Sequence, residues 1–533
     1  MFRVTAYLAP SAIPPRLSIL HRSKLAHGLL GSDCLCSGAV VLINGEPDVV
    51  NAHLEQLEPK LLWQHFRTFC DTPRPSWHED AILSKIEAWA DERGFAHERD
   101  EANNLRIVKP ATAGHENAPG VVMQGHVDMV AESDAGVDHD FETDPIVTFV
   151  EDGWLKARGT TLGADNGIGA AAGLAILDET DLEHGPLEVL LTVAEEVSLV
   201  GAAHLAPNWV NGRLLLNLDT EEEGEVCIGC AGGANVTTET ELAEHPLEGN
   251  LTVFKIGVNG LTGGHSGMDI DTGRASANRL LARALHQLLP LGLRLVDYDG
   301  GRMDNAITRA AWATVALPDA AFDEATAELV ELEAVFQKEL AGVDGQVAVD
   351  QERAEADKAL SVGDTKRLVR LLYALPYGVE RMSLAAPGVV ETSNNIGVVQ
   401  VADGVFSAQL MVRSLVDSAR DSLVERIATM FELAGFPVTR ERGYPGWAPN
   451  PKSALLARFV DVHERVTGQP PEVKVIHAGL ECGLIGARYP KMDMISFGPT
   501  IRGAHSPTER VDIAAVDNFY KILRAMITEL AGA

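Results

Sequence analysis

Five side chains far apart in the sequence, His126, Asp165, Glu196, Asp219 and His505, each follow an apolar run that reads as a strand or open a turn. In open α/β sheets ligands gather outside the carboxyl ends of the strands, so distant residues placed this way converge. Imidazoles and carboxylates together form a mixed shell that suits zinc with a position left open for water. In His126-Val127-Asp128 the alternate residues of an extended segment share a side, so Asp128 can brace the ring while His126 faces a metal. Asp165, in Gly163-Ala164-Asp165-Asn166-Gly167, stands where a helix N-cap ordinarily stands. Its two oxygens could equally bridge two cations about 4 Å apart, as two-metal hydrolases require. Glu195 and Glu196 close a strand, and a turn there would offer both to one cleft, one to ligate metal and the other to take a proton from water. Each of these residues alone has an ordinary structural explanation, and their weight comes from company.

The elements that must position them are legible in outline. Leu54, Leu57, Leu61, Leu62 and Phe66 recur at helical spacing, and Ser76-Trp77-His78-Glu79 has the capping-box pattern before a second helix that stops at Gly94. Val121 to Gln124, Leu187 to Val193 and Leu214 to Leu218 are unalternated apolar runs, as expected for strands buried on both faces. Between them an Ala-rich helix is predicted over Gly167 to Leu177. After Cys230-Ala231-Gly232-Gly233 the texture changes to alternating strands (Leu251 to Val258, Val405 to Val412) and an amphipathic helix around Ala320 to Leu340. Tyr444-Pro445-Gly446-Trp447-Ala448-Pro449 marks a turn-rich return. A helix near Ser453 to Val466 and a strand near Met492 to Ser496 then complete the first sheet.

The fold class is therefore α/β, a catalytic sheet with helices on both faces and an inserted α+β domain. The expected division is 1–50 as an extension, 51–232 as the first catalytic part, 233–443 as the insertion and 444–533 as the second catalytic part. A chain of 533 residues is too long for one core. The formal charge of −32 argues against nucleic acid, since a polyanion repels it. No apolar run approaches the length needed to cross a bilayer, so no membrane association is expected. Six cysteines in so long a chain make no disulfide framework, and Cys227 and Cys230 read as reduced, partly buried thiols. The first 32 residues hold Arg3, Arg16, Arg22 and Lys24 and no acid, and read as a start placed too early or a floppy extension, with targeting as the alternative.

Gly125-His126-Val127-Asp128-Met129-Val130, Gly163-Ala164-Asp165-Asn166-Gly167, Thr192-Val193-Ala194-Glu195-Glu196, Asn217-Leu218-Asp219-Thr220 and Ala504-His505-Ser506-Pro507 resemble, in order, the metal-site motifs of the dizinc aminoacylase and dipeptidase family. The resemblance is closest to the bacterial aminoacyl-histidine, or carnosinase-type, dipeptidases and runs from Leu54 to the C-terminus. It implies two Zn2+, with Co2+ or Mn2+ as substitutes. His126 and Asp219 would hold one ion, Glu196 and His505 the other, and Asp165 would bridge them. Glu195 would be the general base acting on a metal-activated bridging water, and Asp128 would orient His126. The insertion resembles the family's lid. His265, in Gly263-Gly264-His265-Ser266-Gly267, would help polarise the scissile carbonyl, in relatives often from the partner subunit. Asn305 and Arg413 would bind substrate, a guanidinium being a natural fork for a dipeptide's free carboxylate. The His477-Ala478-Gly479-Leu480-Glu481-Cys482-Gly483 stretch would line the pocket, with Gly479 letting ligand approach the backbone.

The expected activity is zinc-dependent hydrolysis of dipeptides, preferentially Xaa-His such as carnosine, by a cytoplasmic homodimer. An N-acyl amino-acid deacylase and a broader di- or tripeptidase are rival enzymes on the same site. A silent metal-binding, dimer-forming protein is the rival outside catalysis. Gly167-Ile168-Gly169 mimics part of a dinucleotide fingerprint, but no tight strand-to-helix turn precedes it.

Overall fold

The computed structural model describes residues 50–532. The expected extension, residues 1–50, lies outside the described residues except for Val50.

The first sheet has eight strands in the order Ala96–Arg99, Leu105–Lys109, Leu187–Thr192, Val121–His126, Leu214–Asn217, Asp493–Ser496, Glu225–Cys230 and Glu472–Ile476. Val121–His126 lies parallel between Leu187–Thr192 and Leu214–Asn217, and Asp493–Ser496 extends the parallel run. All six residues of Val121–His126 and of Leu187–Thr192 are buried. Alternation of side chains explains why. Val121, Met123, Val189 and Leu216 join one large core with the helices Lys60–Cys70, Ala164–Asp178 and Ile513–Ala531, whereas Val122, Leu190, Leu215 and Met494 face a smaller core with Ala202 and Ile485. A sheet covered on both sides needs apolar residues at every position, hence the unalternated runs.

The helix Ala164–Asp178 is apolar on every side and buried almost throughout. Its glycines serve packing. A Cβ on Gly167 would meet Arg74 Nη2 at 2.7 Å and one on Gly169 would meet the Leu218 carbonyl at 2.3 Å, so protein fills the space a nucleotide phosphate would need.

The second sheet has nine strands, all antiparallel, including Leu251–Asn259, Ala311–Pro318, Val390–Ala402, Val405–Ser414 and Gly232–Glu241. Its core draws on residues from Ala234 to Phe436, with the helices Ala277–Leu288, Phe322–Glu339, Val362–Ala374 and Asp417–Leu433. The two passages between the sheets run side by side. Cys230 and Trp447 exchange backbone hydrogen bonds at 3.0 and 2.9 Å, and Gly233 and Tyr444 do so at 3.1 and 2.9 Å.

The capping-box expectation at Ser76 needs correction. The helix starts at Asp80 after Glu79 and ends, as expected, on Gly94 with φ +72°. Ser76 instead donates to Asp128 Oδ2 at 2.8 Å, and Glu79 accepts from the Trp77 and Ala194 amides at 3.0 and 2.9 Å. Both polar side chains are drawn to loops at the strand ends, where unpaired groups compete with the cap. Cys227 and Cys230 are buried free thiols. Among the described residues no helix is long and apolar enough to cross a membrane.

Candidate metal centre

The carboxyl ends of three neighbouring strands deliver the first side chains. His126 ends its strand, Glu195 and Glu196 follow Thr192, and Asp219 follows Asn217. Strand geometry would point Glu195 and Glu196 opposite ways, but Ala194 takes a left-handed conformation (φ +49°) and turns the chain. Ligand atoms of His126, Glu195 and Glu196 consequently lie within 4.8 Å of one another.

Asp165 stands at the centre. Its backbone is extended (φ −79°, ψ 112°), as a cap residue's would be, but no side-chain cap bond forms and both carboxylate oxygens turn to imidazoles instead. Its Oδ1 lies 3.1 Å from His126 Nε2 and its Oδ2 lies 3.2 Å from His505 Nε2. Asp219 Oδ1 is 3.6 Å from the same nitrogen of His126, and Glu196 Oε2 is 2.9 Å from His505 Nε2. Two groups result, His126 with Asp165 and Asp219, and His505 with Asp165 and Glu196, sharing one carboxylate. His505 itself sits at φ +63° on a turn, the conformation that swings it back to the sheet.

The charge balance of these groups fits cations. Burial pushes the carboxyls of Asp219 and Glu195 well above their usual range, and neighbouring acids push them further. Burial would lower His126, but Asp219, Asp128 and Asp165 outweigh it and raise the imidazole well above its usual value. Hydrogen bonds to Asp165 and Glu196 lift His505 to about 11. Glu196 Oε1 and Asp219 Oδ1 are buried without a hydrogen-bond partner. Buried carboxylate oxygens are normally satisfied, and a divalent cation satisfies them at once.

Around this centre lies a set of braces, of which sequence reasoning found Asp128 alone. His126 Nδ1 lies 3.2 Å from the Asp128 carbonyl and 3.4 Å from Asp128 Oδ1, which leaves Nε2 for the centre. The same carboxylate accepts from the Glu195 and Glu196 amides at 3.0 and 3.2 Å, so one acid sets both the imidazole and the paired glutamates. Arg74, 1% exposed, donates to the carbonyls of Val127, Asp128 and Gly163 at 2.8, 3.0 and 2.6 Å and ties the His126 and Asp165 loops together. Glu509 accepts the amides of Leu162, Gly163, Ala164 and Asp165 at 2.7 to 3.2 Å. Glu481, fully buried, accepts from Gln124 Nε2 at 2.5 Å and Thr192 Oγ1 at 2.8 Å beneath the centre, and burial raises its carboxyl to about 7. Glu481 lies in the stretch singled out from sequence, but nothing in an acid's letter distinguishes a buried brace from a solvated one.

The candidate substrate residues gather elsewhere, where the second sheet meets the return segment. His265 Nδ1 accepts from the Gly267 and Met268 amides at 3.2 and 3.0 Å, so its proton sits on Nε2. Burial and the charge of Arg413 hold that imidazole below its usual value, hence neutral. Arg413, 4% exposed, reaches Tyr444 Oη at 3.0 Å and Ser266 Oγ at 3.4 Å, and among the described residues no carboxylate pairs with it. The Asn305 carbonyl accepts from Ser266, and Gly479 lies against the Tyr444 ring. His477 bonds Ser393 of the second sheet at 2.7 Å. Among the described residues none of these groups makes a hydrogen bond or ion pair with the metal-centre side chains. The stretch from His477 to Glu481 joins the two sites.

Comparison with known proteins adds four findings. Residues 122–529 match the profile of the peptidase family M20/M25/M40. The chain is 42% identical over 481 residues to the cytosol non-specific dipeptidase of Escherichia coli (strain K12), covering 90% of this chain and 99% of that one. The crystal structure of the aminoacylhistidine dipeptidase from Vibrio alginolyticus superposes with a TM-score of 0.84 at 42% identity, covering 89% of this chain and 98% of that one. A Staphylococcus aureus tripeptidase, at 16% identity, TM-score 0.55 and coverage of 90% of this chain and all of that one, shares the fold.

Proposed function

Because the chain belongs to the peptidase family M20/M25/M40, we propose that it is a two-zinc dipeptidase whose substrates include Xaa-His dipeptides such as carnosine. The observation that carries the reading is Asp165, whose two oxygens each face a different imidazole while Asp219 and Glu196 flank them. His126, Asp165 and Asp219 would hold one ion, and Asp165, Glu196 and His505 the other. Bound divalent cations would supply Lewis acidity, lowering the pKa of water and neutralising charge that develops in the transition state.

Glu195 is the general base. It is nearly as close to His126 Nε2, at 4.0 Å, as the ligand set, yet the two shared triads are complete without it. Its carboxylate takes the proton of the attacking water and later returns it to the leaving amine. Asp128, by holding the Glu195 amide, fixes where that proton is received. His265, neutral with its proton on Nε2, donates to the carbonyl oxygen as charge grows there. The buried guanidinium of Arg413, which has no carboxylate partner among the described residues, receives the substrate's terminal carboxylate, since a buried charge without a counter-charge is costly until an anion arrives. Residues 233–443 form the lid, 51–232 and 444–533 the catalytic part, and a cytoplasmic homodimer is the expected assembly.

Hydrolysis of carnosine, other dipeptides and N-acetylated amino acids by zinc-loaded protein tests this. Cleavage of the dipeptides that disappears with chelator is expected. Turnover of acetylated substrates alone makes the protein a deacylase on the same scaffold, and no turnover with metal bound removes the catalytic reading.

A further inference from the structure

Arg413, Gly233 and Tyr444 lie side by side on three adjacent segments. Arg413 is the cross-strand partner of Gly233, and Gly233 pairs on its other side with Tyr444. An ordinary side chain in the middle would separate the outer two. A Cβ at Gly233 would lie 2.7 Å from Tyr444 Oη, so the missing side chain is what lets the phenol cross over and reach Arg413 Nη1 at 3.0 Å. The ring's other edge closes on Gly479, where a Cβ would lie 3.1 Å from it.

The backbone of Tyr444 is held as firmly as its ring. It exchanges two hydrogen bonds with Gly233, and its carbonyl accepts from Arg420 Nη1 at 2.5 Å. Arg420 belongs to the helix Asp417–Leu433, and the Cys230–Trp447 pair lies immediately beyond. Tyr444 thus sits where the two passages between the sheets lie side by side, on the segment returning to the first sheet, with its hydroxyl on a guanidinium of the second.

We infer that Tyr444 is a specificity-positioning residue, which fixes the Arg413 guanidinium for the terminal carboxylate of the substrate and so lets the enzyme prefer a free dipeptide to its amide. The inference rests on the reading of Arg413 as the carboxylate receptor. The Tyr444 oxygen accepts from Arg413, so its own proton remains to be donated, and an anion lying on the guanidinium is the group that takes it. A guanidinium on a long, flexible stem loses less freedom on binding when one of its nitrogens is already anchored.

The test compares kcat/KM for alanyl-histidine with that for alanyl-histidinamide, using the full-length, zinc-loaded protein. Tyr444→Phe keeps the ring and removes the hydroxyl, and the acid-over-amide ratio is expected to fall roughly tenfold, through KM for the acid, as for one hydrogen bond to a charged group. Arg413→Met is expected to bring the ratio close to unity. A ratio unchanged in Tyr444→Phe but collapsed in Arg413→Met overturns the inference and leaves the receptor standing. A ratio unchanged in Arg413→Met overturns the receptor and the inference with it. Equal losses on both substrates in Tyr444→Phe, with the ratio kept, reduce the hydroxyl to a structural contact and also overturn the inference.

Discussion

Glu509 grips the backbone of Asp165. Its Oε1 accepts from the Asp165 amide at 3.2 Å and from Ala164 at 2.8 Å, while Oε2 takes Leu162 and Gly163. A carboxylate is acceptor-only and can serve all of these donors, whereas an amide places an NH2 against two of them. Glu509→Gln is therefore expected to loosen the segment that carries Asp165 and to weaken zinc affinity about 10- to 100-fold. Isothermal titration of metal-free protein measures this. Wild-type affinity in the variant would show that the segment holds its shape without the grip.

Glu195 and Glu196 are neighbours in sequence with different expected fates. Glu195→Gln should lower kcat by about 10²- to 10⁴-fold while leaving zinc content unchanged. Glu196→Gln should lower zinc content as well, since Glu196 Oε2 stands 2.9 Å from His505 and its other oxygen is buried without a partner. Kinetics beside metal analysis separates the two. Loss of metal in Glu195→Gln would place that residue among the ligands.

The outline of the centre was legible because buried parallel strands leave unalternated apolar runs, and the acid or imidazole after such a run must sit at the carboxyl end. The turn that brings Glu195 and Glu196 to one side depends on Ala194 at positive φ, and alanine carries no signal for that. Glu79, Glu481 and Glu509 were missed because a carboxylate that accepts buried amides is spelled like one in water. Ser76 and Glu79 gave a capping pattern, but their side chains found partners 52 and 115 residues away. The contact between Arg413 and Tyr444 was hidden because it depends on register across Gly233, which no local spacing encodes.

Asp219 should trade stability for function. Its carboxyl is buried, crowded by acids and pushed well above the usual range, and one oxygen has no partner. Asp219→Asn removes a carboxyl that metal-free protein must either protonate or pair with His126 among other acids, so the Tm of that form should rise by at least ~1 °C, a fraction of a kcal/mol. Zinc at a hundredfold excess over Kd should stabilise the wild type by roughly 2.7 kcal/mol for each site it fills, and the variant much less. Thermal scans with and without zinc check both signs. A metal-free variant that melts below the wild type would mean that pairing with His126 outweighs the crowding.

His477 supplies a pH dependence away from the metal centre. Burial lowers its imidazole from 6.5 to about 3, with Arg413 and His265 adding to the shift and the Ser393 hydroxyl occupying Nε2. The folded protein therefore keeps His477 neutral in a range where the unfolded chain protonates it. Below pH 6.5 the unfolded state binds the additional proton, so the contribution of His477 is complete above that pH and is lost as pH falls towards 3. The full loss is on the order of a few kcal/mol. His477→Gln can keep a bond to Ser393 but cannot titrate, so its Tm should fall less steeply than the wild type's between pH 6.5 and 5. Parallel curves for the two proteins across that interval would show that His477 is protonated in the fold, and that its environment is wetter than its burial implies.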